Sequence, residues 1–383
     1  MHQPNETLSS ASFYNRLDPI CQAGLATSLN PNSNAFDLQL MDKNWHSCSE
    51  FYPTEALTST AICLIGISRS ELDPSLLGMS PQKSLDAAYD LIRKTKYRGG
   101  FGLVLWANAV NNGLDLDTLQ FRCGVSLDKF NKLLASLTTM EAAWLVSGLA
   151  HEYKRSGGDD TLQLLNQGVD ELINKRFQPA TSTVCHAGAK PSASHALRRW
   201  IANFADQVYT IQALAFAAKV SQNTAALEVA EKIADKMVEL QGDKGQWWWH
   251  YDARKGTVPQ GYSVYSVHQH GMAPMALAAV TAAGGKDYSD AQAKSRLWFD
   301  DNELSAKLID EEYKTIWRSI EYSETRLNDV TRKAKSLLGI AQNPAAEHAP
   351  ELAVNYETRP YEWAWCQYAG AIERGIDPAL HIV

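Results

Sequence analysis

Cysteine is sparse in this chain and never appears in the CxxC spacing of metal or redox motifs: Cys21, Cys48, Cys63, Cys123, Cys185 and Cys366 are six in 383 residues. That density is far below a disulfide scaffold, so reduced thiols are expected. Positive charge is also short. The net charge is −7, and no run of Lys and Arg forms a stripe able to release phosphate counterions, which argues against nucleic acid as a partner. Long apolar runs are missing too; the longest, 56–67, is short and rich in Thr and Ser, so no transmembrane segment is expected. The first residues have neither the basic n-region nor the apolar h-region of a secretory signal, and a cytoplasmic location is expected. GxGxxG, P-loop, HExxH and GxSxG motifs are absent, which removes the usual supports for dinucleotide, NTP, zincin and serine-hydrolase chemistry.

What is present is an ordinary globular composition, 45% apolar and 21% charged with a mean hydropathy of −0.30. The length exceeds the size at which one core usually stops growing, leaving two domains or one large layered or cyclic architecture. Helical periodicity dominates. Six segments, 54–68, 99–111, 139–154, 203–219, 262–283 and 361–374, are apolar nearly all round and rich in small residues. Between them lie amphipathic segments at 84–96, 126–136, 159–176, 224–241 and 289–301, with 7–29 as a sixth. A helix buried on all sides needs neighbours everywhere, whereas an amphipathic one needs a single inner layer. The alternation therefore predicts an all-α fold: one (α/α)6 toroid over residues 1–383, with a central cavity and the first helix closing the ring against the last. No run of β-type alternation stands out. Most returns to the inner layer are long, at 30–53, 177–202, 242–261 and 302–360, the last expected to be an irregular or extra helical insertion. All emerge where inner helices begin, so the functional site is expected at that mouth.

Gln241-Gly242-Asp243-Lys244-Gly245-Gln246-Trp247 reads Q-x3-G-x-W, which resembles one copy of the QW repeat of squalene and hopene cyclases. The run from Tyr262 to Leu277, YSVYSVHQHGMAPMAL, resembles an inner helix of the terpenoid cyclase and protein prenyltransferase superfamily. The resemblance implies a toroid with an aromatic-lined cavity and an isoprenoid or similar apolar substrate. The DxDD and DDxxD motifs of those cyclases do not occur. Cys185-His186 with Cys366 resembles the zinc ligands of lanthionine cyclases, whose motif order and neighbouring glycines this sequence does not reproduce. No cofactor is predicted, with Mg²⁺ and Zn²⁺ left open and no metal ligand assigned.

Asp206, in the first turn of the fourth inner helix, is the leading candidate for a general acid raised by desolvation, set against a capping role with Asn203. Tyr209 shares its helical face. Tyr265 and His268 form a candidate proton-handling pair across the cavity, since His268 and His270 at i and i+2 point apart and suit a shared metal poorly. Asp252 and Glu362 are further candidate carboxylates, against a turn for Asp252 and a dipole role for Glu362. Trp247, Trp249, Tyr251, Tyr262 and Tyr361 are candidate substrate-binding aromatics, because aromatic faces stabilise carbocations and equally stack on sugars. His186, with His195, Arg198 and Arg199, is a candidate to line the mouth and meet an anionic group, and Arg359 is a further candidate substrate-binding residue. Glu50 and His46 rank lower. The leading expectation is an acid-assisted, terpenoid-cyclase-like enzyme acting on a small molecule. A carbohydrate-active toroid such as a glycoside hydrolase, lyase or epimerase is the alternative, and a non-catalytic ligand-binding toroid is third.

Overall fold

The computed structural model describes residues 10–49, 52–323 and 351–383. Its helices in chain order are α1 (Ser10–Ser28), α2 (Pro53–Ser70), α3 (Pro81–Thr95), α4 (Phe101–Val110), α5 (Leu116–Cys123), α6 (Phe130–Ser136) and α7 (Thr139–Ser156). Then come α8 (Asp159–Glu171), α9 (Ala193–Leu197), α10 (Phe204–Ser221), α11 (Thr224–Glu239), α12 (Ala273–Ala282), α13 (Ser289–Leu297) and α14 (Pro360–Glu373). A π turn, His268–Met272, leads into α12.

Six of these helices close a ring. α2 packs on α4, α4 on α7, α7 on α10 and α10 on α12; the π turn before α12 packs on α14, and α14 returns to α2. An outer layer covers them, with α3 on α2, α8 on α7, α11 on α10, α13 on the π turn and α1 on α14. The fold is an α/α toroid. Local sequence explains the boundaries. Thr138 and Glu141 form a capping box at the start of α7, with Thr138 N–H donating to Glu141 Oε2 at 2.7 Å. Proline opens α2, α3 and α14, where its missing N–H costs nothing.

Three expectations need correction. The expected helix at 126–136 is preceded by a further one, α5; Gly124, at φ +68°, caps α5 and turns the chain toward α6. The fifth inner helix does not begin at Tyr262. Val264–Tyr265 is a strand paired with Ser319–Ile320, and the helix starts beyond it through the π turn. Pro274 has no N–H to give the preceding turn, which favours such an irregular start. Finally, short antiparallel strands fill the returns. Ile201–Asn203, His250–Asp252 and Thr257–Gln260 make one sheet, and Leu38–Met41 pairs with both Asn44–Ser47 and Glu357–Thr358. Ser319–Tyr322 lies between Val264–Tyr265 and Leu352–Asn355, so the described part of 302–360 contains short strands as well as irregular chain. Strands of two to four residues are too short to display a period-two alternation. Residues 324–350 of that stretch lie outside the described residues, as does Glu50. Among the described residues no helix is long and apolar enough to cross a membrane.

Candidate active site

Inside the ring, at the end where the inner helices begin, lies a chamber of about 230 Å³. Its wall repeats one helical device. Met140 and Trp144 on α7, Ala205 and Tyr209 on α10, Tyr361 and Trp365 on α14, and Thr58 and Ile62 on α2 all line it as i, i+4 pairs, as do His268 and Met272 in the π turn. Residues four apart share a helix face, so α2, α7, α10 and α14 each present one stripe to the chamber. Loops supply Trp249 and Arg318, and the Val264–Tyr265 strand supplies Tyr265.

The polar groups converge on one side. His268 stacks on Trp249 with ring centroids 5.6 Å apart and planes 14° apart, and its ring is 5.1 Å from that of Tyr265. Phe204 closes its other side at 4.2 Å. Burial drives the imidazole down to about 3, so His268 is neutral at physiological pH. Burial also raises the Tyr265 phenol, which keeps its proton. The Arg318 guanidinium lies 5.3 Å from the Tyr265 ring centroid and contacts Glu357 at 2.7 Å. Burial opposes the guanidinium's charge, and Tyr361, Tyr265 and the two glutamates Glu357 and Glu362 outweigh that cost.

The three candidate carboxylates do not line this chamber. Asp206 is expected to face it, but its carboxylate is turned into the wall. Oδ1 accepts from Met140 N–H at 2.9 Å, Oδ2 accepts from Asn203 N–H at 2.8 Å, and His186 Nδ1 approaches Oδ2 at 2.8 Å. It thereby caps α10 and ties it to the start of α7. Asp252 is fully buried in the Ile201–Asn203 sheet, where its Oδ1 accepts from Arg254 N–H at 2.9 Å in a turn. Glu362 lies behind the wall, with Oε1 2.7 Å from His270 Nε2. Burial pulls His270 down, but the Cys366 thiol and Glu362 outweigh it and lift the imidazole to about 10.

Of the other expected residues, Trp249, Tyr361, Tyr209, Tyr265 and His268 are brought together at the chamber. Trp247 is not: its indole N–H donates to Ser295 Oγ at 2.8 Å under α13. Tyr251 is fully buried, and Tyr262 packs edge-on against Trp248 and Tyr322. His186 is held between Asp206 and His195, whose Nδ1 is 3.1 Å from His186 Nε2. Arg359 is engaged by Glu357 at 2.5 Å and Glu55 at 3.3 Å. Cys185 and Cys366 are in different surroundings, and among the described residues no group of three or more His, Cys, Asp or Glu could hold a metal ion. Sequence reasoning missed Trp144 and Arg318 as lining residues. Trp144 had a signal: Thr58, Trp144, Tyr209 and Trp365 are each the sixth residue of their helix. Arg318 had none, since it follows a two-residue strand inside 302–360, the stretch expected to be an irregular or extra helical insertion.

No protein-family model matches the chain, and no curated protein matches it. Solved structures do match along nearly its whole length. The unsaturated glucuronyl hydrolase of Bacillus sp. GL1 aligns at TM-score 0.60 and 10% identity, covering 96% of this chain and 99% of that one. A sugar epimerase from a ruminal bacterium aligns at TM-score 0.61 and 13% identity, covering 96% and 99%. Cellobiose 2-epimerase from Bacillus thermoamylovorans aligns at TM-score 0.61 and 11% identity, covering 95% and 100%. At such identities the likeness is one of fold. It corrects the terpenoid cyclase and prenyltransferase resemblance, because the matching toroids are sugar-handling proteins by their names. The QW-like motif has a local explanation: Gln241 Nε2 donates to the carbonyls of Gly245 and Ala291, both at 3.1 Å, and Trp247 bonds Ser295, so the motif fastens the end of α11 to α13.

Proposed function

We propose that this toroid is an enzyme acting on a small carbohydrate, and that its reaction moves a proton at a carbon next to a carbonyl, as in sugar epimerisation or isomerisation. The observation that carries this reading is a neutral His268 stacked on Trp249 beside Tyr265 and Arg318, in a lining that contains no carboxylate among the described residues. Glycoside hydrolysis by the usual route needs two carboxylic groups flanking the bond. Proton transfer needs a base and a stabiliser of the developing oxyanion. His268 is the base: burial disfavours its imidazolium on its own, and the enolate that forms beside it as it takes the proton supplies the counter-charge. Arg318 and the Tyr265 hydroxyl steady the enolate oxygen, and the imidazolium returns the proton to the neighbouring carbon while the hydroxyl proton passes from O2 to O1, which isomerises the sugar. Trp249, Trp144 and Trp365 give the sugar ring apolar faces to lie on. The toroid neighbours named as a sugar epimerase and a cellobiose 2-epimerase support the same class by analogy.

The test is proton exchange. Reducing mono- and disaccharides incubated with the protein in D2O are expected to take up deuterium at the carbon next to the carbonyl, followed by NMR. His268→Asn, which leaves the ring stack without a base, is expected to slow exchange by about 10²-fold or more. Release of sugar from glycosides without exchange would overturn the reading in favour of hydrolysis.

A further inference from the structure

A second recess, of about 460 Å³, lies outside the chamber, and Arg98, Lys129, Lys132 and Lys190 line it together with Ser126 and Leu133. The four cations come from three separated segments: the turn leading into α4, the α6 helix, and the return between α8 and α10. This is why a search for runs of basic residues in the sequence finds nothing. Lys129 and Lys132 are three apart at the start of α6 and share a face, and Lys190 is held against the same helix by its backbone N–H, which donates to Ala135 O at 2.8 Å. The Ser126 hydroxyl accepts from Asp128 N–H at 3.1 Å, which leaves its own hydrogen to donate.

The arrangement is unusual for this molecule. The chain carries a net charge of −7, and several of its other surface cations find carboxylates: Arg122 with Asp90, Lys175 with Glu171, Lys236 with Glu239, Lys244 with Asp301 and Lys286 with Asp235. Arg98, Lys129, Lys132 and Lys190 make no ion pair among the described residues, and no carboxylate lines the recess. Like charges gathered without a counter-ion repel, and a ligand that brings two negative charges and several acceptor oxygens relieves that repulsion while using every donor. A phosphate group supplies about that charge and three acceptors, and a volume of this size holds a small molecule. We propose that the recess is a binding site for a small molecule bearing a phosphate or pyrophosphate group, separate from the chamber and independent of the reaction assigned to it. A concave site of this volume suits a small anion better than an extended polyanion, which needs a stripe along a face.

The experiment is calorimetric titration of the full chain with sodium pyrophosphate at low ionic strength. Saturable one-site binding is expected, weakened at least tenfold in a Lys129→Ala/Lys132→Ala/Lys190→Ala variant and left within about twofold by Arg318→Met, which removes the cation of the chamber. All three lysines are exposed, and circular dichroism reports whether the variant is folded; Lys190→Glu, a single charge reversal, serves as the second variant with the same expected direction. No saturable binding, equal affinity in the lysine variants, or loss only in Arg318→Met would each overturn the proposal.

Discussion

The Asp206 carboxylate is fully buried and has both oxygens occupied within the wall, by two backbone N–H groups and the His186 ring. Asp206→Asn replaces one acceptor oxygen with an amide NH2 that faces donors, so at least one buried donor loses its partner. A helix-dipole contribution alone would be about 0.3–1 kcal/mol. Removal of buried, charge-assisted hydrogen bonds is expected to cost about 2–3 kcal/mol, read from urea denaturation followed by circular dichroism. A loss below about 1 kcal/mol would show that Asp206 is only a dipole partner. The capping half of this role is legible in the sequence, as Asn203-x-x-Asp206. The half that joins α10 to α7 spans 66 positions, and no local pattern announces it. The same holds at the chamber. Tyr209, Tyr265 and His268 are readable as aromatic or titratable residues near inner-helix starts, whereas Arg318 reaches them only through the pairing of Ser319–Tyr322 with Val264–Tyr265.

At the scale of elements, the small residues of the inner helices are what allow the ring to close tightly. α4 is buried along its whole length, and a Cβ on Gly102 would come within 2.3 Å of Leu145 N and 2.4 Å of Trp144 C, the backbone of α7. Gly148 approaches from the other side, where a Cβ would be 2.6 Å from Gly102 O. Backbone cannot swing aside as a side chain can, so Gly102→Ala must push α4 and α7 apart. Alanine's helix propensity would favour the variant by about 1 kcal/mol, and overpacking of this kind costs about 1–3 kcal/mol or more. Net destabilisation is therefore expected, seen as a lower Tm, with Trp144 fluorescence altered because the displaced segment carries it. A Tm at or above that of the parent would show that the two helices have room. The helices themselves were legible because burial on all sides and burial on one side leave different periodicities. The hairpins were not, since their stability comes from capping the mouth and pairing across distant segments, as Glu357–Thr358 does with Leu40–Met41.

For the whole molecule, closing a ring of helices buries histidines that a looser fold would leave wet, and this sets its response to pH. Burial drives His151, His250 and His268 each down to about 3. Their folded values lie below the unfolded value near 6.5, so the unfolded chain binds more protons between those limits. The stability they allow is fully present above about pH 6.5 and is lost as pH falls toward 3. His270 has the opposite sign: lifted to about 10 beside Cys366 and Glu362, it stabilises below about pH 6.5, and that contribution is lost as pH rises through 10. His151 isolates the acid limb, because it is not among the residues that line the chamber and its neutral form is specified by geometry. Its Nδ1 is 2.8 Å from Ser147 O and its Nε2 receives Ile382 N–H at 3.4 Å, an arrangement with one donor and one acceptor nitrogen. His151→Gln retains polar atoms but cannot take up a proton. Between pH 4.5 and 6, the parent's unfolding free energy is expected to fall with acid, and the variant's slope is expected to be shallower by up to about 1.4 kcal/mol per pH unit, one proton's worth. Urea denaturation at three or four pH values measures both slopes independently of any constant loss from the substitution itself. Equal slopes would mean that His151 is protonated in the folded ring as readily as in the unfolded chain, and that the core around Trp106 and Phe216 admits solvent to it.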